Sequence, residues 1–208
     1  GLANLRISKK KFIYLISPNN IYPRFYQDLK EVLKTGKVGL FQLRLKKYSF
    51  KQKILIGKKI KQICKKNGVK FLVNDDPILS KKLNADGCHL GQKDMDLNEA
   101  RKIIGNKIIG ITCHNSINLA KAAIKGKANY IAFGAFFSTT TKKVKFKATT
   151  KILNKAKKLT KTPIVVIGGI NIDNYKKLLL NNANLLAISS YIWNNKKYKP
   201  LETIKKLK

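Results

Sequence analysis

The chain has 208 residues, 44% of them hydrophobic, which is typical of one globular domain with a large core. We therefore treat residues 1–208 as a single domain. No apolar run approaches the 18 or more residues of a membrane helix, and the first apolar run is too short for a signal peptide, so we expect a cytoplasmic protein with no membrane partner. Three scattered cysteines lack disulfide or metal spacing, and we expect them to be reduced and mostly buried: Cys64, Cys88 and Cys113.

The net charge of +35 raises the question of nucleic-acid binding. Nearly all of this charge is lysine, whereas nucleic-acid readers tend to use arginine for bidentate contacts and aromatic residues for stacking. The lysines recur at helical spacing beside abundant Asn and Ile, a composition that AT-rich codons also produce. We expect no specific nucleic-acid partner, but the positive field attracts small anionic substrates. The arginines are Arg6, Arg24, Arg44 and Arg101.

Eight short apolar segments alternate with segments of helical periodicity along the whole chain. The predicted strands are Phe12 to Ile16, Gly39 to Leu43, Val69 to Val73, Ala85 to Leu90, Lys107 to Ile111, Tyr130 to Phe133, Ile164 to Ile167 and Leu185 to Ser189. The predicted helices begin near Pro23, after Ser49, at Pro77, at Leu97, after Asn115 or Ser116, near Thr149, at Asp173 and near Leu201. A long polar loop, residues 134–147, follows the sixth strand, and loops of this length are often functional.

Strict alternation of strands and helices predicts a parallel sheet, and eight units in about 200 residues predict an α/β fold of the (β/α)8 TIM barrel type. An open doubly wound sheet is the alternative. That fold usually has a Gly-rich loop after its first strand, and this chain has none there. We therefore favour the barrel, in which the active site lies at the carboxyl ends of the strands.

Two consecutive predicted strands end in carboxylates, Asp75 after the third strand and Asp94 after the fourth. Parallel strands end at the same edge, so both side chains, with Asn74, are expected to face one pocket. Oxygen ligands of this kind suit Mg²⁺, which we expect as the cofactor. The alternative is that Asn74 and Asp75 cap the helix that follows.

Other polar residues follow the remaining predicted strands. Among them, the cations Arg44, Lys46 and Lys142 indicate a phosphate or diphosphate ligand. Gly168 and Gly169 stand where barrels of this kind usually bind a second phosphate, so two phosphorylated substrates are expected. His89 is expected to pack or hydrogen-bond inside the barrel, whereas His114 serves either the pocket or the structure. The further candidates are Gln42, Gln92, Thr112, Thr139, Thr141, Ser189 and Ser190.

Seven motifs, in order and correctly spaced, resemble those of the thiamine phosphate synthase family. They are QLRLK (Gln42 to Lys46), ND (Asn74, Asp75), ADGCHLGQKD (Ala85 to Asp94), GITCH (Gly110 to His114), TTTK (Thr139 to Lys142), IGGI (Ile167 to Ile170) and LLAISSYI (Leu185 to Ile192). The ADGxHLGQxD match is highly specific, whereas TTTK and IGGI alone are weak.

The resemblance implies an enzyme that joins a pyrimidine diphosphate to a thiazole phosphate and releases pyrophosphate. It implies that pyrophosphate leaves first, and that the thiazole nitrogen captures the resulting pyrimidine-methyl cation. By the resemblance, Asp75 and Asp94 hold Mg²⁺, and Gln42 and Thr112 touch the pyrimidine. The diphosphate ligands are Arg44, Lys46, Asn74 and Lys142, and the thiazole phosphate ligands are Thr139, Thr141, Gly169 and Ser190, with His114 and Ser189 as further substrate contacts.

The chain departs from the family pattern at four places. Leu45 replaces the usual acid, Thr112 the usual serine, Asp76 a common basic residue, and Asn184-Leu185 an Asp-Gly pair. The nearest alternative function is that of the related thiazole tautomerase, which lacks the ND pair, GQxD and the TxTK lysine. A non-catalytic barrel that binds polyanions is a further alternative. A homo-oligomer is compatible with the sequence.

Overall fold

A computed structural model describes residues 2–3, 5–138 and 148–208, and these residues form eight strands and nine helices. The strands are β1 Ile13–Ile16, β2 Val38–Leu43, β3 Lys70–Asn74, β4 Gly87–Leu90, β5 Ile108–Thr112, β6 Tyr130–Phe133, β7 Ile164–Ile167 and β8 Leu185–Ile188. The helices are α1 Phe25–Leu33, α2 Phe50–Lys66, α3 Pro77–Lys82, α4 Leu97–Ile104, α5 Ile117–Lys125, α6 Thr150–Leu159, α7 Tyr175–Leu180, α8 Ser190–Trp193 and α9 Pro200–Lys206.

The strands form a closed parallel barrel in which β1 pairs with both β2 and β8. The predicted (β/α)8 fold is confirmed, and each predicted strand is present with its ends within two residues. The short helix α8 was not predicted. The seventh helix was predicted to begin at Asp173. Asp173 and Asn174 form a turn instead, and α7 begins at Tyr175.

Side chains at the amino-terminal ends of several helices explain where those helices begin. Ser49 and Gln52 form a reciprocal capping box at α2, as the sequence predicted for Ser49, and Ser116 caps α5. At α3 the Asp76 carboxylate accepts the backbone N–H of Leu79 at 3.0 Å. The alternative prediction, that Asn74 and Asp75 serve as this cap, is therefore wrong.

Two apolar clusters lie on the two faces of the sheet. The larger fills the space between the strands and the surrounding helices, and it contains the buried thiols of Cys64, Cys88 and Cys113, as predicted. The smaller fills the inside of the barrel and includes Tyr14 and Tyr130.

The amino-terminal segment covers one end of the barrel. Leu5 and Ile7 pack against the interior cluster, and the backbone of Ala3 hydrogen-bonds to Asn106 and Asn129, which precede β5 and β6. Because this end is covered, access to the interior lies at the carboxyl ends of the strands. Within the described residues, no helix combines the length and apolar character needed to cross a membrane.

Gly110 in β5 gives a test of how tightly the barrel interior is packed. A Cβ atom at this position would lie 1.8 Å from the ring of Tyr130. We expect Gly110→Ala to lower the free energy of unfolding by about 2–3 kcal/mol, because the new methyl group must displace a fully buried ring.

The matched control is Gly126→Ala at the end of α5, where φ is −75° and the nearest atom would be 3.4 Å away. This variant is expected to be as stable as the parent or up to about 1 kcal/mol more stable. Urea unfolding measures both. Equal stability of the two variants would contradict the packing argument.

Candidate active site

A cavity of about 380 Å³ opens at the carboxyl ends of the strands. Its wall combines polar groups from β2, β3, β4 and β5 with apolar groups from β6, β7 and β8. The lining residues are Tyr14, Ile16, Ser17, Gln42, Arg44, Lys46, Asn74, Asp75, His89, Gly91, Thr112, Ala132, Val165, Ile167, Ala187 and Ser189. A mixed wall of this kind is typical of sites for small molecules.

Two cations project from the segment after β2. The Ser17 hydroxyl holds the backbone of Arg44, because it accepts the Arg44 N–H at 2.8 Å and donates to the Arg44 carbonyl at 3.2 Å. Among the described residues, no carboxylate lies within salt-bridge distance of Arg44. Lys46 instead pairs with Asp75, with Nζ and Oδ2 2.5 Å apart. Leu45 between them is buried in the outer core, whereas Arg44 and Lys46 line the cavity at the rim.

Two carboxylates meet beside this lysine. Burial raises the pKa of Asp75, but its hydrogen bonds with Lys46 and Asp94 outweigh burial, and the pKa lies below its usual value. Burial and the hydrogen bond with Asp75 raise the pKa of Asp94, although the Gly91 N–H bonded to Asp94 Oδ2 at 2.7 Å opposes this. Asp94 is therefore the member of the pair that takes up a proton first, and a cation placed between the two would relieve their repulsion.

A chain of hydrogen bonds crosses the barrel interior below the cavity. Gln42 Nε2 donates to the Tyr14 hydroxyl at 3.0 Å, which lies 2.7 Å from the Tyr130 hydroxyl. The Tyr130 hydroxyl lies 2.7 Å from Nδ1 of His89, and Nε2 of His89 lies 2.7 Å from Oγ1 of Thr112. The prediction that His89 hydrogen-bonds inside the barrel is confirmed.

Burial sets the protonation states along this chain. It lowers the pKa of His89 to about 4, and the nearby Asp75 carboxylate opposes this only in part. Burial also raises the pKa of both Tyr14 and Tyr130. At neutral pH the imidazole and both phenols are therefore uncharged, and their protons serve hydrogen bonds.

The β7 and β8 side of the rim contributes a tight backbone turn and two serines. Gly169 has φ of 63°, and a Cβ there would lie 2.8 Å from the carbonyl oxygen of Phe137. Ser189 lines the cavity and donates to the Ser17 carbonyl at 3.2 Å, while Ser190 begins α8. Only a glycine fits the close approach at position 169.

The structure brings most of the predicted site residues to one rim. Gln92 lies beside them, and its amide donates to the Thr112 carbonyl at 2.7 Å. His114 follows β5, and its carbonyl accepts the Gly134 N–H, so its role toward a substrate stays a prediction. Thr139, Thr141 and Lys142 lie outside the described residues. Sequence reasoning missed Tyr14, Ser17 and Tyr130, for which the available signal was a hydroxyl inside or directly after an apolar strand.

Fold and site together define an enzyme of the barrel class, with a polar cavity at the carboxyl ends of its strands that carries both cations and carboxylates. The sequence model of the family described as thiamine monophosphate synthase matches residues 13–192. The thiamine-phosphate synthase of Pelagibacter ubique (strain HTCC1062) is 68% identical over 200 residues, which cover 96% of this chain and 97% of that protein. The corresponding enzyme of Erythrobacter litoralis (strain HTCC2594) is 39% identical and covers 87% of each chain.

A solved structure leads to the same family. The thiamine phosphate pyrophosphorylase from Pyrococcus furiosus superposes with a TM-score of 0.83 at 28% identity, covering 96% of this chain and 95% of that one. The chain belongs to the thiamine monophosphate synthase family. The predicted function is confirmed: the protein is a transferase of thiamine biosynthesis that forms thiamine phosphate from small-molecule substrates. The tautomerase and polyanion-binding alternatives are not supported.

The lowered pKa of His89 predicts how stability depends on pH. An unfolded histidine binds a proton near pH 6.5, whereas the folded ring does so only at about pH 4. Between these values the unfolded state binds more protons, so stability falls as the pH falls. We expect His89 to contribute a loss of about 2 kcal/mol in the free energy of unfolding between pH 7 and pH 4.5.

The matched comparison is His89→Gln, which lacks this titration but keeps every other ionisable group. Urea unfolding at the two pH values should show a smaller loss for the variant. If both proteins lose the same amount, His89 is protonated in the folded protein and the buried neutral ring is refuted.

Proposed function

We propose that the pyrimidine diphosphate binds in the rim cavity with its ring inward and its diphosphate beside Arg44 and Lys46. The observation that carries this proposal is the polarity of the cavity. Its floor presents the uncharged groups of Gln42 and Thr112, while its mouth carries cations and carboxylates. A substrate with an uncharged heterocycle at one end and a diphosphate at the other matches this gradient.

Arg44, Lys46 and Asn74 are proposed to bind the diphosphate oxygens. Negative charge develops on these oxygens as the bond from the pyrimidine methylene carbon to the diphosphate breaks. Donors fixed in place before the reaction stabilise this charge without rearrangement. Arg44 is suited to the task because its backbone is clamped by Ser17 and its guanidinium has no carboxylate partner within the described residues.

Asp75 and Asp94 are proposed to hold Mg²⁺. Carboxylate oxygens are hard ligands, and Mg²⁺ is usually bound by one or two of them together with substrate phosphates and water. Within the described residues there is no group of three or more His, Cys, Asp and Glu side chains suited to a metal. The proposed shell therefore needs oxygens from the substrate and water in addition to the two aspartates. When bound, Mg²⁺ would neutralise charge on the leaving pyrophosphate.

The thiazole phosphate is proposed to bind on the β7 and β8 side of the rim. Gly169 follows β7 in a left-handed turn, Ser189 lines the cavity after β8, and Ser190 begins α8. Thr139, Thr141 and Lys142, together with His114, belong to this proposal through the family motifs. With the ring of the first substrate held inside, the thiazole nitrogen is proposed to capture the pyrimidine-methyl cation after pyrophosphate has left.

No nucleic-acid or membrane partner forms part of the proposal. The positive charge is carried mostly by lysine, and the site residues serve small anions, so polyanion binding would be non-specific and sensitive to salt. A cytoplasmic location is proposed on the basis of the three unpaired buried thiols. A homo-oligomer remains compatible with this function.

The metal assignment is tested with Asp94→Asn. The amide oxygen can still accept the Gly91 N–H, so the turn is preserved while the charge is removed. We expect pyrophosphate release from both phosphorylated substrates and Mg²⁺ to fall roughly 100-fold. Calorimetry should also show weaker Mg²⁺-dependent binding of inorganic pyrophosphate.

The control is Glu202→Gln, which removes an exposed carboxylate on α9 and should leave both quantities unchanged. Wild-type Mg²⁺ dependence in well-folded Asp94→Asn would remove Asp94 from the metal site. Absence of pyrophosphate release from the wild-type protein would overturn the substrate assignment.

A further inference from the structure

With the Gln42 amide nitrogen facing Tyr14, as in this structure, the chain of hydrogen bonds inside the barrel has one direction that satisfies every member. The Tyr14 oxygen accepts from Gln42, so its own proton is available for Tyr130. The Tyr130 proton then goes to Nδ1 of His89. An uncharged imidazole whose Nδ1 accepts carries its proton on Nε2, where it is donated to Oγ1 of Thr112.

The opposite direction leaves a buried donor without an acceptor. If Thr112 donates to Nε2, then Nδ1 of His89 donates to Tyr130, and Tyr130 donates to Tyr14. The Tyr14 oxygen then accepts from both Gln42 and Tyr130, and its proton has no hydrogen-bond partner in the described part of the chain. Tyr14 is only 1% exposed, so water does not compensate, and such a group is costly.

The strand register holds this arrangement in place. His89 in β4 pairs with Gly110 in β5, and Gly110 pairs with Tyr130 in β6. Because Gly110 has no side chain, the Tyr130 ring lies across it and stacks near the His89 ring, with centroids 5.6 Å apart and planes 17° apart. The contact between the Tyr130 hydroxyl and Nδ1 of His89 therefore depends on a glycine in the strand between them.

We propose that Tyr14, Tyr130 and His89 are positioning residues that fix the Thr112 hydroxyl as a hydrogen-bond donor into the cavity. The inference rests on the proposed contact between Thr112 and the pyrimidine. Because Oγ1 of Thr112 accepts the Nε2 proton, its own proton is free to point at a ligand. The ligand atom that faces it must be an acceptor, such as a pyrimidine ring nitrogen.

The direction of the hydrogen-bond chain is tested by imidazole ¹⁵N nuclear magnetic resonance of the intact protein at neutral pH. The protein contains only two histidines, and a spectrum of His89→Gln identifies which signals belong to His89. We expect the Nε2–H tautomer, with an unprotonated Nδ1. An Nδ1–H tautomer would overturn the proposal, and this result needs neither substrate nor activity.

The effect of the hydrogen-bond chain on Thr112 is tested by a double-mutant cycle. Tyr130→Phe removes the donor to Nδ1 and is expected to lower kcat/KM for the pyrimidine diphosphate roughly tenfold. The KM for the thiazole phosphate should not change. In a Thr112→Val background the same change should have no further effect, whereas it should keep its effect in a Thr112→Ser background, which retains the hydroxyl.

A matched control is Tyr175→Phe, which removes the hydroxyl of another buried tyrosine whose hydrogen bonds go to Lys208. It should leave the kinetics unchanged. A loss from Tyr130→Phe that persists at full size in the Thr112→Val background would show a purely structural role. If Tyr130→Phe does not fold, Tyr14→Phe interrupts the chain one step earlier. A wild-type protein without synthase activity would refute the substrate assignment and leave the tautomer result valid.

Discussion

The closure of eight parallel strands into one barrel is the constraint on which the rest of the molecule depends. In a parallel sheet every strand ends at the same rim, so residues far apart in the chain must meet there. Asp75 and Asp94 illustrate this, since each follows its own strand and the two carboxyl groups are nevertheless close enough to influence each other's pKa. The covered amino-terminal end leaves the carboxyl rim as the side from which ligands enter.

The same closure explains how polar side chains are tolerated inside the barrel. An isolated buried hydroxyl or imidazole is destabilising, but a fully satisfied network removes most of that cost and fixes the geometry of its members. Gln42, Tyr14, Tyr130, His89 and Thr112 come from five strands, and each reaches the next only because the barrel is closed. The network therefore links the packing of the interior to the polarity of the cavity floor.

The repeating pattern of strands and helices was predictable because each strand is an apolar run and most of the described helices have seven or more residues, enough to show a helical period. Helix α8 was missed because four residues are too few to show a helical period. The rim residues were predictable because they directly follow apolar runs. Tyr14 and Tyr130 were not, since a tyrosine within an apolar strand resembles ordinary core. The contact of their hydroxyls, across 116 residues of sequence, is set by the register of the closed barrel.

The sequence left open whether the polar residues after β3 cap the next helix or face the site. In the structure, neighbouring residues serve these two roles separately. Asn74 ends the strand, and Asp75 follows with φ of 63°, a left-handed conformation that aspartate tolerates better than most residues. Its N–H donates to the His89 carbonyl at 2.8 Å, which ties the turn to β4. Asp76 supplies the cap, so the Asp75 carboxylate is not needed there and is available to Lys46 and Asp94 at the rim. An acidic residue at position 76 is thus compatible with an anion site, because its charge is engaged by the backbone of α3.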